Sequence, residues 1–307
     1  MIHEQVIATE LLKGQGLGNQ LFCYVTTRCL AMKNHSQFAI LNKEILANNM
    51  HSNKGMYFMD IDCGLDMKKE EFSEIYQEKE DRIYLGNSIH DIEHGCYISG
   101  ADEKLLRLAQ STLVYGNMQD EAYFGQYKEE IKQWLRVKPE YDSYEYSRDN
   151  LCIINIRGGE YTSNPELFLR RKYWLDAMKV MKRKRPDIEF MVITDDLSAA
   201  RRILPEVPAY HFDLSGDYTA IKNAKYLILS NSTFAFSLLI PVKLFSILLH
   251  RNIGRDIMCR MDIGHLSRIF MMSSYIWIER ENFLLQQNVG KSWQHISRVP
   301  TDIKRLE

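Results

Sequence analysis

Short apolar runs alternate with amphipathic stretches along most of the chain. Runs too short for helices, bounded by glycine and polar residues, predict strands. In the first half these are VIATELLK (Val6–Lys13), FAIL (Phe38–Leu41), IYLG (Ile83–Gly86) and TLVYG (Thr112–Gly116). In the second half they are LCIINIR (Leu151–Arg157), FMVITDD (Phe190–Asp196) and YLILSNS (Tyr226–Ser232). DEAYFGQYKEEIKQWL (Asp120–Leu135) carries apolar residues near helical spacing and predicts a helix. This alternation argues for an α/β fold with mostly parallel sheets. The polar stretch Gln133–Asn150, punctuated by Pro139, has the character of a domain connection. The expected layout is two Rossmann-like domains, residues 1–145 and 146–307, facing a cleft.

Composition narrows the function. The 307 residues give room for two domains, and the formal net charge of −1 removes the basic excess expected of a nucleic-acid binder. With no long-range field, an anionic ligand must be caught by local groups. The longest apolar run, Phe234–Leu249, is interrupted by Pro241 and Lys243, so no spanning helix is expected. No signal peptide is read at the N-terminus, and a reducing, cytoplasm-like location is the expectation. Peripheral attachment at an inner membrane stays open, without a basic amphipathic helix to support it. Six cysteines form no CxxC pair and nine histidines no HxxxH or HxH pattern, so neither a structural nor a catalytic metal is expected.

Four loops could hold a nucleotide. LLKGQGLGNQLFCY (Leu11–Tyr24) places Gly14, Gly16 and Gly18 before a helix-like stretch. A dinucleotide fingerprint needs a third glycine where Asn19 stands and an acidic residue about twenty positions later. Both are missing, which leaves a tight glycine turn or another nucleotide loop, with Asn19 and Gln20 adding side-chain donors beside free helix amides. In LCIINIRGGEY an apolar strand ends in Arg157, followed by Gly158, Gly159 and Glu160. Strand carboxyl ends are where ligands sit in open α/β sheets. Arg157 suits a phosphate through paired donors, or forms a salt bridge with Glu160. YLILSNSTFAF ends in Ser230, Asn231, Ser232 and Thr233, able to cap a helix, to meet a phosphate, or both. In FMVITDD, Asp195 and Asp196 close a strand, and Asp196 also suits a helix N-cap before Leu197. The run Lys182–Asp187 reads as a solvated helix end carrying cations.

Taken in order, these stretches resemble the bacterial α-1,2-fucosyltransferases, glycosyltransferase family 11. GQGLGNQLFCY is similar to the family's G-G-L-G-N-Q-[ML]-F-Q-Y motif, and YGNMQDEAYF to its G-Y-x-Q-x-x-x-Y-F segment. INIRGGEY corresponds to H-x-R-R-G-D-Y, and GDYTAIKNAKYLILSNSTFAF to its closing N-S-T-F element. The resemblance covers Leu11 to about Phe236.

The resemblance implies a metal-independent GT-B transferase with no cofactor beyond its donor substrate, GDP-fucose, bound mainly by the second domain. Gly16, Gly18 and Asn19 would form the first domain's face of the cleft, on the acceptor side. Arg157, with Asn155 before it, would bind the diphosphate, beside Asn231, Ser232 and Thr233. Asp195, Asp196 and Asp217 fall where donor-side carboxylates are carried. Fucose would pass with inversion to a hydroxyl, the galactose 2-OH, of an oligosaccharide acceptor in a bacterial surface glycan such as an O-antigen or capsule. Arg157 and the amides at Ser232 and Thr233 would stabilise the leaving phosphate, with Asn19 beside it and Glu160 as candidate base. Three positions depart from the motif: Asn155 stands for its histidine, Gly158 for its second arginine and Glu160 for its aspartate.

After Phe236 the resemblance stops. One allowed coding string for ILLHRNIGRDIMCRMDIGH (Ile247–His265), read from its third base, gives IAPSKYWARYNVSNGYWA, which resembles the family's next segment. The expectation is a frameshift between Phe236 and Ile247, with poor packing after about Leu249; a divergent helix pair is the alternative. Three functions therefore compete: a GDP-fucose transferase, a transferase of another nucleotide sugar, and a nucleotide or glycan binder without turnover.

Overall fold

A computed structural model describes residues 5–46, 56–79, 101–163, 168–230, 232–234 and 277–279. The first sheet holds β1 (Val6–Glu10), β2 (Gln37–Leu41), β3 (Glu74–Gln77) and β4 (Thr112–Tyr115) in the order β2-β1-β4-β3, every pair parallel. Helix α1 (Leu17–Lys33) crosses from β1 to β2, and thirteen of its seventeen residues are buried. A helix covered on nearly all sides has to be enclosed by more than its own sheet. It is: one apolar cluster runs from Ile7, Leu21 and Phe22 through Phe58 to Tyr218 and Leu227 of the other half.

The second sheet has the order β7-β6-β5-β8-β9. Its centre is β5 (Leu151–Ile156), buried at every position and paired in parallel with β6 (Glu189–Thr194) and β8 (Tyr226–Leu229). At the edges, β7 (Ala209–Tyr210) is parallel to β6, and β9 (Trp277–Glu279) is antiparallel to β8. A strand buried on both faces must be apolar throughout, which is why LCIINI reads as a continuous run. The α/β architecture with parallel sheets is thus the one that the alternation of the sequence predicts.

Asp120–Leu135 is not one helix but two, α2 (Glu121–Phe124) and α3 (Lys128–Trp134). Gly125 sits at the break, where the entropic cost of glycine disfavours a continuous helix. The polar stretch after α3 is pinned to both halves. Lys138 donates its N–H to Phe58 O at 2.9 Å, and the Asp142 carboxylate accepts from Lys222 Nζ at 2.9 Å and Asn223 Nδ2 at 2.8 Å. The expected strand at Ile83–Gly86, and the frameshift placed between Phe236 and Ile247, lie outside the described residues.

The described residues of the second half also hold α4 (Arg171–Lys184), α5 (Leu197–Ile203) and α6 (Leu214–Lys222). On α4, Trp174, Ala177 and Met181 face inward, while Lys182, Arg183 and Lys184 place cations in the last turn, where the helix dipole favours them.

Candidate active site

The carboxyl ends of both sheets open into one cleft of about 660 Å³. Its first wall is the Gly14–Asn19 loop and the start of α1. Gly14 needs its glycine, with φ +86°. Gln20, anticipated as a donor to a ligand, turns inward instead: it is fully buried and its Nε2 donates to Gln15 O at 2.8 Å, which braces the loop. The N-cap residue Gly16 has no side-chain cap and the first turn carries no acidic residue. The first-turn amides therefore meet the cleft with their partial positive charge uncompensated from within the helix.

The second wall is charged. Arg157, at the end of β5, has one fork nitrogen 2.5 Å from Glu160 Oε1 and the other 2.6 Å from Asp195 Oδ2. Its guanidinium also lies 5.6 Å from the Tyr161 ring centre. The salt bridge to Glu160, one of the two roles left open for this arginine, is therefore formed. Asp195 accepts from the Gly158 N–H at 2.7 Å. Behind Arg157, Ser230 Oγ accepts from the arginine N–H at 3.2 Å and donates to Asn155 Oδ1 at 3.1 Å. A Cβ at Gly158 would sit 2.4 Å from Asp196 Cβ, so any side chain there, a second arginine included, would displace Asp196.

The adjacent aspartates divide their work. Asp195 lines the cleft, whereas Asp196 caps α5 by accepting from Ala199 N at 2.9 Å and does not line it. Asp217, in the first turn of α6, lines the cleft, accepts from Phe212 N at 2.9 Å and lies 2.7 Å from His211 Nδ1. Burial pushes its carboxyl up to about 6, against the opposing pull of the Phe212 amide and of His211. Gly16, Gly18, Asn19, Asn155, Arg157, Glu160, Ser232 and Thr233 all line the same cleft, and Asn231 lies outside the described residues.

The two walls meet at Gly18. A Cβ on Gly18 would fall 2.3 Å from Phe234 N and 2.4 Å from the Thr233 carbonyl carbon, so only glycine lets these backbones meet. Ser232 directly precedes the helical residues Thr233 and Phe234, the position from which a hydroxyl can serve a helix start. Among the described residues no group of three His, Cys, Asp or Glu side chains could hold a metal ion, and no helix is long and apolar enough to cross a membrane. His211 and Tyr161 are cleft residues that the sequence reading passed over. His211 belongs to no metal-type histidine pattern; its signal is only the carboxylate six residues on.

No protein-family profile matches the chain. Over 249 residues it is 22% identical to an alpha-1,2-colitosyltransferase of Escherichia coli, spanning 72% of this chain and 83% of that protein. The chain is a relative of a glycosyltransferase. The class is the one that the motifs predict. Solved structures it resembles include the fucosyltransferase NodZ from Bradyrhizobium, at 14% identity over 76% of this chain and 92% of that one with a TM-score of 0.44. A FUT1 mutant of Arabidopsis thaliana in complex with GDP aligns at 9% identity over 82% of this chain and 72% of that one, with a TM-score of 0.43.

Proposed function

We propose that this chain is a GDP-sugar-dependent glycosyltransferase that moves fucose, or a related sugar such as the colitose of its relative's name, to a hydroxyl of a glycan acceptor. The observation that carries this reading is the pairing of walls. An arginine at a strand end and the uncompensated amide end of α1 converge on one cleft, which suits a diphosphate leaving group. In this reading residues 146–307 form the donor-binding domain and residues 1–145 the acceptor side. Transfer inverts the anomeric centre and needs no metal, because Arg157 and the amides of α1 and of Ser232–Thr233 supply the positive field.

Nucleotide binding has to displace a carboxylate. Both forks of Arg157 are engaged by Glu160 and Asp195, and Glu160 is the more exposed of the two, at 62% against 30%. The phosphate takes the place of Glu160 on the guanidinium, which leaves that carboxylate beside the donor as candidate base. The test is a calorimetric titration with GDP, GDP-fucose and UDP, followed by GDP release on adding galactose-terminated acceptors. Micromolar GDP binding with no UDP binding is expected; UDP preference would overturn the donor assignment. Binding without release favours the non-turnover reading.

A further inference from the structure

Asn19 is held by a side chain from the far end of its own half. Gln119 Nε2 donates to Asn19 Oδ1 at 3.0 Å, across a sequence separation of 100 residues. Gln119 is only 4% exposed, and its Oε1 is buried without a hydrogen-bond partner among the described residues. A buried carboxamide half-satisfied in this way is unfavourable for packing alone. An apolar residue would fill the position better, so what the amide contributes is its one bond.

The backbone delivering Gln119 is also constrained. Met118 has φ +51°, a left-handed conformation that disfavours any residue with a Cβ. Two buried groups hold it there. Glu78 Oε2 accepts from Met118 N at 2.8 Å, and Thr26 Oγ1 donates to Met118 O at 2.7 Å. Glu78 is itself fixed by the Tyr123 hydroxyl, which donates to its other oxygen at 2.8 Å. Thr26 and Asn19 lie seven residues apart on α1 and so share a helix face. The loop after β4 is thus pinned along that face at three points, with Cys23 Sγ donating to Gly116 O at 3.4 Å, and the Gln119–Asn19 bond is the pin nearest the cleft.

We propose that Gln119 is a positioning residue that sets the orientation of the Asn19 carboxamide. With Oδ1 occupied by Gln119, Asn19 offers the cleft only its Nδ2 donors, aligned with the uncapped amides of the first turn. That arrangement selects an oxygen acceptor, and it rests on the proposed transferase reading only for naming that acceptor as the donor's diphosphate. Without Gln119 the Asn19 side chain is free to turn and fold back on its own helix end.

Two variants, Gln119→Leu and Gln119→Glu, test this against Asn19→Ala. A carboxylate at 119 can only accept, so it forces Asn19 to turn its NH2 away from the cleft without loss of volume. Both variants are expected to weaken GDP binding about three- to tenfold in calorimetry, and to add nothing further in the Asn19→Ala background. A melting temperature close to wild type for Gln119→Leu, which buries no charge, separates positioning from unfolding. Full additivity with Asn19→Ala, or unchanged GDP affinity in Gln119→Glu, would overturn the proposal. Failure of the wild type to bind GDP would instead sink the donor assignment. The side-chain amide resonances of Asn19 then decide the pairing by themselves: they shift in Gln119→Leu if Gln119 holds Asn19, and stay in place if it does not.

Discussion

The two walls of the cleft are built from opposite materials. The first, Gly14 to Asn19, carries no ionisable side chain and works through glycine backbone, helix amides and one carboxamide. The second gathers Arg157, Glu160, Asp195, His211 and Asp217 from the carboxyl ends of β5, β6 and β7 and the start of α6. One wall fixes distance and the other supplies charge. The backbone contact at Gly18 and Thr233–Phe234 brings the neutral wall directly against the charged one.

The largest effect is expected on the charged wall. Arg157→Ala removes the cleft's guanidinium and leaves Glu160 and Asp195 facing each other without their shared cation. GDP affinity is expected to fall about a hundredfold, on the order of 3 kcal/mol for a lost charge-assisted pair with uncompensated carboxylates. Calorimetry measures it. A loss smaller than about threefold would mean that the anion is caught by the neutral wall.

Gly18→Ala attacks the contact itself. The added Cβ meets backbone atoms on the opposite wall, which cannot swing aside as a side chain can. A destabilisation of about 1–3 kcal/mol is expected from such overpacking, together with weaker GDP binding because Thr233 is pushed from the cleft. Denaturant midpoints and titration read the two consequences separately. Lost stability with intact binding would show that the walls can part without disturbing the site.

Asp217 gives the charged wall a pH signature. Its carboxyl titrates near 3.8 in the unfolded chain and is pushed up to about 6 by burial. Between those values the folded protein keeps a proton that the unfolded chain has released. Stability therefore falls as pH rises from about 4 to about 6, and above that the burial penalty is fully present. Asp217→Asn is expected to flatten this fall by at most about 3 kcal/mol, read from urea midpoints at pH 4.5 and 7.5. The same pH dependence in variant and wild type would assign the fall to other groups.

The charged wall was the more legible of the two in the sequence, and for a physical reason. A central parallel strand is apolar on both faces, so Arg157 at its end stands out against Leu151–Ile156, and Asp195 against Phe190–Thr194. His211 follows an edge strand of two residues, which gives no such contrast. Of the neighbouring aspartates, Asp196 is marked in the sequence as the N-cap by its place before Leu197, while the place of Asp195 at the cleft depends on the turn after β6. On the neutral wall the glycines were visible, but the approach that demands Gly18 and the Gln119–Asn19 bond join positions far apart in the chain. Nor does periodicity mark the break at Gly125, since the apolar residues on either side keep near-helical spacing.

The smallest change carries the finest distinction. Glu160 is bonded to Arg157 yet largely exposed, so the pair itself contributes little, about 0–1 kcal/mol. If Glu160 only occupies the place of a phosphate, Glu160→Gln removes a competitor and tightens GDP binding by roughly two- to fivefold. Turnover then changes little. If Glu160 also takes the proton of the acceptor hydroxyl, the same variant still binds GDP more tightly but loses turnover by about 10²–10⁴-fold. Weaker GDP binding in Glu160→Gln would contradict both, because it would make the carboxylate an aid to the anion and not its rival. Binding and turnover measured on one variant thus separate a counter-ion from a base, and show whether the charged wall holds its own base or leaves that task to residues outside it.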